Sequence, residues 1–195
     1  MDFVAKKVRY TTKEVVLLGL LSALSYVLML LESPPFIGFL KIELSDVPAL
    51  IGAFTYGPMA GVIIELIKNL MKGITSSNTA FIGEFANLLI SIGYVVPAAI
   101  FFKKLRGKNR ITITFILSTL SMTVLGFIIN YFITIPMYAK LYGGMDVILQ
   151  GATLIPGITD KFTLILYGIT PFNIVKGIII SVVGYYSYQS VKKVL

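Results

Sequence analysis

The 195-residue chain contains no cysteine and no histidine. Those two absences remove thiol nucleophiles, disulfides, imidazole bases and the commonest zinc ligands together, so neither metal nor triad catalysis is expected, and no cofactor. Charge is scarce as well: 13% of residues are Asp, Glu, Lys or Arg, where an ordinary soluble domain carries roughly 25%. What fills the chain is apolar. Hydrophobic residues make up 56% of it, and the mean hydropathy is +0.88. Apolar runs recur along the whole chain, more than a soluble core of this length could hide, so the expected solvent is lipid. The net charge of +8 falls in short basic clusters between those runs. That pattern sets membrane topology and does not suggest nucleic acid as a partner. After the first run stands Glu32-Ser33-Pro34-Pro35 and no small-x-small cleavage pattern, so that run is expected to be a retained helix.

A helix crossing the roughly 30 Å hydrocarbon core needs about 20 mostly apolar residues. Residues 13–31, 81–102, 111–137 and about 168–189 provide such runs. Residues 46–72 are also apolar but are interrupted at Tyr56-Gly57-Pro58, a strong turn signal. The basic clusters decide how that stretch crosses. They are Lys6, Lys7, Arg9 and Lys13; then Lys103, Lys104, Arg106, Lys108 and Arg110; and finally Lys192 and Lys193. With all three cytoplasmic, an even number of crossings separates the first from the second, and the broken stretch crosses twice, as helices 46–56 and 58–72. The expectation is therefore an all-α integral membrane protein. It is one domain over residues 1–195, a bundle of six transmembrane helices with both termini cytoplasmic and long outer loops, 32–45 and 138–167, after the first and fifth helices. The two middle helices would rise only about 16 and 22 Å, so longer neighbours must shield them.

Phe39 to Leu44 alternates apolar and polar residues. If extended, it turns Leu40, Ile42 and Leu44 to one side and Lys41 and Glu43 to the other, as a lid strand or a plug resting on the bundle. Ser45 or Asp46 is expected to cap the following helix, with Pro48 in its first turn. Intramembrane polar residues come next, since each is costly in lipid and is by default a functional-site hypothesis. Glu65 and Lys68 lie three apart and can neutralise each other as a structural pair, with Lys72 snorkelling to the surface. Glu84 and Asn87 share a face at the start of the fourth helix, where capping and site roles compete. Asn130 sits in the outer half of the fifth helix, where interhelical hydrogen bonding is the alternative role. Asn173 and Lys176 share a face near the outer end of the sixth, where Lys176 could instead snorkel. Glu84, Asn87, Asn130, Asn173 and Lys176 come from three helices at similar depth, the way a polar pocket is built. On that reading Lys176→Ala and Asn130→Ala should weaken binding more than Lys68→Ala.

No GxxxxGK[ST] phosphate loop occurs in the chain, and no matched halves suggest an inverted-repeat transporter. A pocket without an energy source implies a partner. Gly19 and Ala23 form a small-xxx-small pair on the first helix, with Ser22 and Ser25 nearby, a surface for close approach by another helix or by the chain's own bundle. An intramembrane enzyme using Glu84 or Lys176 as acid or base, or a small channel or facilitator, are the readings from other classes.

Several stretches together resemble the substrate-binding S components of energy-coupling factor (ECF) transporters, and among them the riboflavin-specific type. They are Leu40-Lys41-Ile42-Glu43-Leu44-Ser45-Asp46-Val47-Pro48, Gly57-Pro58-Met59-Ala60-Gly61, Gly83-Glu84 with Asn87, Asn130-Tyr131 followed by Ile135-Pro136-Met137-Tyr138, and Asn173-Ile174-Val175-Lys176-Gly177. The resemblance implies a multi-pass protein of the bacterial cell membrane that is not an enzyme. It implies a six-helix bundle that takes riboflavin from outside as transported substrate and docks on a transmembrane coupling subunit of the EcfT type carrying two cytoplasmic ATPase subunits. In similar proteins the site uses the first outer loop, an Asn on the fifth helix and Asn-x-x-Lys on the sixth, matched here by Asn130, Asn173 and Lys176. Their first helix typically docks through Ala-x-x-x-Ala, where this chain has Gly19 and Ala23. Thiamine or pantothenate is the alternative substrate within the same family. The chemistry of riboflavin suits such a pocket, because Asn amides and Lys offer donors and acceptors to its polar edge and ribityl hydroxyls, and Leu40, Ile42 and Leu44 could cover its ring.

Overall fold

Thr11 opens the first helix by a reciprocal cap: its N–H donates to the Glu14 carboxylate at 2.7 Å while its hydroxyl accepts from the Glu14 N–H at 3.4 Å. Helix α1 (Thr12–Leu30) follows. The computed structural model describes residues 10–35, 40–152 and 155–192. Phe39 and the basic residues Lys6, Lys7, Arg9 and Lys193 lie outside that description. Beyond α1 come α2 (Asp46–Tyr56), α3 (Pro58–Ser76), α4 (Ile82–Lys104), α5 (Arg110–Tyr142), the short α6 (Met145–Gln150) and α7 (Lys161–Val191). Among the described residues no strand forms.

Four of these helices, α1, α4, α5 and α7, are long and apolar enough to cross a membrane. Helix α2 has only 11 residues, and α3 carries Glu65, Lys68 and Lys72. Helices α1, α4 and α7 shield α2, whose residues Asp46 to Phe54 are all buried, by packing on it together with α3. Glycine makes that packing possible. A Cβ on Gly61 would lie 2.4 Å from Val95, 2.9 Å from the Ala53 Cβ and 3.3 Å from the Ala49 carbonyl, so α2, α3 and α4 meet there backbone to side chain. Gly57 sits at φ 104°, a left-handed conformation that costs a glycine little. Pro58 then starts α3, where its missing N–H matters least.

The two ends of the bundle differ. At one end the α2–α3 turn meets the end of α4 and the end of α7: Phe54 stacks on Phe102 at 4.2 Å and meets Tyr188 edge-on at 5.3 Å. The basic α4–α5 turn is therefore at the same end as Gly57-Pro58 and the C-terminal part of α7. At the other end lie the α1–α2 connection, the α3–α4 turn and the segment between α5 and α7.

Two expectations about connections change. Residues 40–44 are irregular and form no strand; Ser33 pins them by donating its N–H to the Ile42 carbonyl at 2.9 Å and accepting the Ile42 N–H on its hydroxyl at 2.9 Å. Residues 138–167, expected as a loop, are largely helical. Helix α5 continues to Gly143, which ends it at φ 89°. Helix α7 begins early because the Asp160 carboxylate accepts from the Thr163 N–H at 2.7 Å and the Thr163 hydroxyl accepts from the Asp160 N–H at 2.9 Å. A polar cap of this kind is invisible to a search for apolar runs. Both long helices contain a π turn, at Asn130–Thr134 in α5 and Leu164–Ile169 in α7.

Candidate functional site

The residue that organises the site is Asp46, the first of α2 and fully buried. Sequence reasoning makes it a helix cap, but neither Ser45 nor Asp46 caps the helix through its side chain. Instead its carboxylate accepts from Lys68 and from the Ser91 hydroxyl at 2.9 Å, and it forms an ion pair with Lys176 at 3.1 Å. Lys68 also pairs with Glu65 at 2.8 Å and donates to the Ser45 hydroxyl at 2.6 Å. Lys176 donates to Glu43 at 2.9 Å and to the Asn87 carbonyl oxygen at 3.2 Å. Charges this deep are tolerable only when paired and hydrogen-bonded, and here α2, α3, α4, α7 and the 40–45 connection all supply partners. Burial pushes the Glu43 carboxyl up and Asp46 adds to that push, but Lys176 and Lys68 outweigh them and hold it below the usual carboxylate range. The Glu65–Lys68 pair is thus part of a larger network and not a self-contained structural pair.

Above this network opens a cleft of about 170 Å³. Leu40, Lys41, Glu84, Asn87, Asn130, Asn173 and Lys176 all line it. Ile42 and Leu44 do not; Leu44 packs on the central apolar core, and Glu43, between the two, turns inward to reach Lys176. Sequence alternation assigns the apolar face to the site, but the buried lysine selects the opposite one. Glu84 accepts from the hydroxyls of Ser77 and Thr79, each at 3.0 Å. Lys41 is ion-paired with Glu32, which also meets Lys72 at 3.4 Å, so Lys72 is buried on the cleft and does not snorkel. The Asn130 amide donates to the Gly126 carbonyl one turn back at 2.7 Å. Asn173 is the exception: its amide nitrogen is buried and has no hydrogen-bond partner among the described residues. It lies so close to α5 that a Cβ on Gly126 would fall 2.3 Å from that nitrogen. Apolar walls come from Ile90, Met122, Ile169 and Phe172.

Sequence reasoning passed over Glu43, Thr134 and Tyr138 as lining residues. Glu43 was legible as a charge beside a proline-capped helix, and Tyr138 as the last residue of Ile135-Pro136-Met137-Tyr138. The π turn that carries Asn130 and Thr134 has no signal in apolar periodicity. π turns of this kind concentrate at functional sites. On α1, Gly19 and Ala23 are exposed, and a Cβ on Gly19 would meet nothing among the described residues within 4 Å. Ser22 and Ser25 face the other way, bonding to the Leu18 and Ser45 carbonyls inside the bundle.

An all-helical membrane bundle with a polar, partly apolar-walled cleft at one end defines a small-molecule-binding membrane subunit. Residues 13–188 match the family described as the substrate-specific component of ECF transporters, and the chain belongs to that family. It is a transporter component and not an enzyme. The riboflavin transporter FmnP of Bacillus subtilis (strain 168) is 36% identical over 178 residues, which cover 88% of this chain and 87% of that protein. The riboflavin transporter RibU of Staphylococcus aureus (strain TCH60) is 33% identical over 179 residues, 91% of this chain and 89% of that protein. A solved S component of a bacterial ECF transporter superposes with a TM-score of 0.75 at 33% identity, covering 93% of this chain and 96% of the other.

Proposed function

We propose that this chain binds riboflavin at the cleft from outside the cell and delivers it to the cytoplasm by reorienting on an ECF module. The unpartnered amide of Asn173 carries the reading. A buried amide donor left without an acceptor costs about 1–3 kcal/mol, and a ligand that brings an acceptor removes the cost. Riboflavin has a flat, largely apolar ring for Ile90, Met122, Ile169 and Phe172, a polar edge for Asn130 and Asn173, and a ribityl chain whose hydroxyls suit Glu84, Asn87 and Thr79. Lys176 holds the pocket floor to the 40–45 connection through Glu43 and supplies positive charge beneath the ligand. Lys41 and Leu40 stand at the mouth. Both relatives above are riboflavin transporters, which supports riboflavin over thiamine or pantothenate.

The six-crossing topology belongs to the same proposal, with both termini and the Gly57-Pro58 turn cytoplasmic and the cleft outside. The basic residues of the α4–α5 turn support it, since they stand at the end away from the cleft. Energy would come from two cytoplasmic ATPases through a transmembrane coupling subunit of the EcfT type, and Gly19 and Ala23 offer that subunit a close approach to α1. Titrating purified protein with riboflavin should quench flavin fluorescence to a one-to-one end point, unaffected by excess thiamine or pantothenate. Quenching that either competitor reverses would assign the cleft to that vitamin instead.

A further inference from the structure

A second concavity lies far from the cleft, between α4 and α5. It measures about 460 Å³ and is walled by Pro97, Ile100 and Phe101 on one helix and Leu117, Leu120 and Val124 on the other. Its cause is local. At Gly93 the helices touch: a Cβ there would lie 2.5 Å from Leu125, so the two backbones are drawn together at that level. Four residues on, Pro97 interrupts the α4 hydrogen-bond ladder, and the helices leave a groove from there toward the α4–α5 turn. The groove faces the bilayer, since Leu120 is 58% exposed and Val124 51%.

The turn at the open end of that groove is unusually one-sided in charge. Lys103, Lys104, Arg106, Lys108 and Arg110 are all exposed, and no Asp or Glu occurs anywhere from Phe85 to Met145. Arg110 leans over the Phe102 ring at 5.3 Å, a ring that packs on Phe54 and Tyr188, so Arg110 is taken up by the core side of the turn and Arg106 and Lys108 are the cations left to serve the groove. By helical rise, Phe101 lies about 5 Å and Leu117 about 10 Å from the basic residues on their own helices. Leu125 closes the groove about 22 Å from Arg110. A phosphate at the turn with an acyl chain running down the groove matches both the sequence of chemistries and the distances. Positive-inside topology needs basic residues at this turn but no groove leading from them. Basic sites between transmembrane helices at a membrane face recognise anionic lipid headgroups.

We propose that the α4–α5 groove and its basic turn form a binding site for one anionic phospholipid. Its headgroup pairs with Arg106 and Lys108, and one acyl chain lies against Pro97, Leu120 and Val124. Native mass spectrometry of the purified protein titrated with phosphatidylglycerol or phosphatidylcholine tests it. One phosphatidylglycerol should be retained in preference to phosphatidylcholine. R106Q with K108Q should lower that retention by about tenfold or more, at roughly 1 kcal/mol per basic residue near the surface. V124W, which fills the groove while leaving every charge, should lower retention of the lipid to the level of phosphatidylcholine. Inorganic phosphate should not compete, because it has no chain. Equal retention of both lipids overturns the proposal. So does full retention by V124W, which would leave only diffuse surface charge, and so does displacement by phosphate alone. A second protein chain bound in the lipid's place would also overturn it, by assigning the groove to a partner. Flavin binding by each variant, unchanged from wild type, confirms that it has folded.

Discussion

Asn173 and Lys68 show how differently two buried polar residues of one site can behave. The Asn173 amide nitrogen is buried and has no hydrogen-bond partner among the described residues, so replacing it by Leu removes an unpaired group and leaves the fold equally or more stable. Riboflavin should meanwhile bind roughly five- to a hundredfold more weakly, the range that about 1–3 kcal/mol implies. Thermal unfolding and flavin titration of Asn173→Leu measure the two effects separately; a loss of stability equal to the loss of binding would give Asn173 a structural role. Lys68 is the opposite case. It meets Asp46, Glu65 and Ser45 at once, and Lys68→Met strands the buried Glu65 carboxylate and leaves Asp46 only Lys176 and Ser91. Breaking a buried pair from one side costs about 3–5 kcal/mol, so this variant should unfold at a markedly lower temperature. An unfolding temperature within error of wild type would mean the Glu65 carboxylate is not held by Lys68. The sequence ranks Lys68→Ala as the milder change, because spacing shows Glu65 three residues away but not Asp46, which reaches Lys68 only through the packing of α2 against α3. Sequence spacing reveals partners on one helix; partners across helices need the fold.

At the level of elements, the site depends on α5 changing its winding at the cleft. The π turn Asn130–Thr134 inserts one residue into the helical register, so everything beyond it is rotated by about 100° relative to an uninterrupted α-helix. That rotation brings Tyr138, buried at 2% exposure, onto the cleft with Asn130. Phe132 within the turn is 70% exposed and contributes little to the core. Deleting Phe132 should let α5 wind as a plain α-helix, keep the helical content, and turn Tyr138 away. The expected result is an unchanged circular dichroism spectrum with riboflavin affinity reduced at least about tenfold, on the footing that small misplacements of binding groups are costly. Affinity equal to wild type would show that the turn does not set the site. The apolar runs fall on α1 and α4 nearly end to end, since burial in lipid is a property of composition, but stop five residues short of Tyr142 at the end of α5. The same runs placed the start of α7 at about Gly168 and not at Lys161, because its first two turns owe their helix to the Asp160–Thr163 cap and to a second π turn.

Taken as a whole, the molecule is polarised along its long axis. Buried charge, polar hydroxyls and amides gather at the cleft end. Aromatic packing of Phe54, Phe102, Phe115 and Tyr188 and the basic α4–α5 turn occupy the other. The counting of crossings from basic clusters rests on that same polarity. It requires Gly57-Pro58 to be at the end of Lys103, and a Cβ on Gly57 would indeed lie 3.5 Å from the Lys103 ammonium. Which end faces the cytoplasm is set by the charge bias, which favours the basic turn inside. A chain without cysteine allows a clean test. Lys108→Cys marks the basic turn and Asp146→Cys the opposite end, on α6, and both positions are exposed. A membrane-impermeant maleimide added to intact cells should label Asp146→Cys at once and Lys108→Cys only after the membrane is permeabilised. Labelling in the reverse order would put the cleft inside the cell and sink the uptake mechanism, whereas labelling of both from outside would mean that an even number of crossings separates them and that α5 does not span the bilayer. Helix α5 is the only element between the two positions, and at 33 residues it is long enough to cross with several turns to spare. The two labels must therefore lie on opposite faces if α5 spans the bilayer.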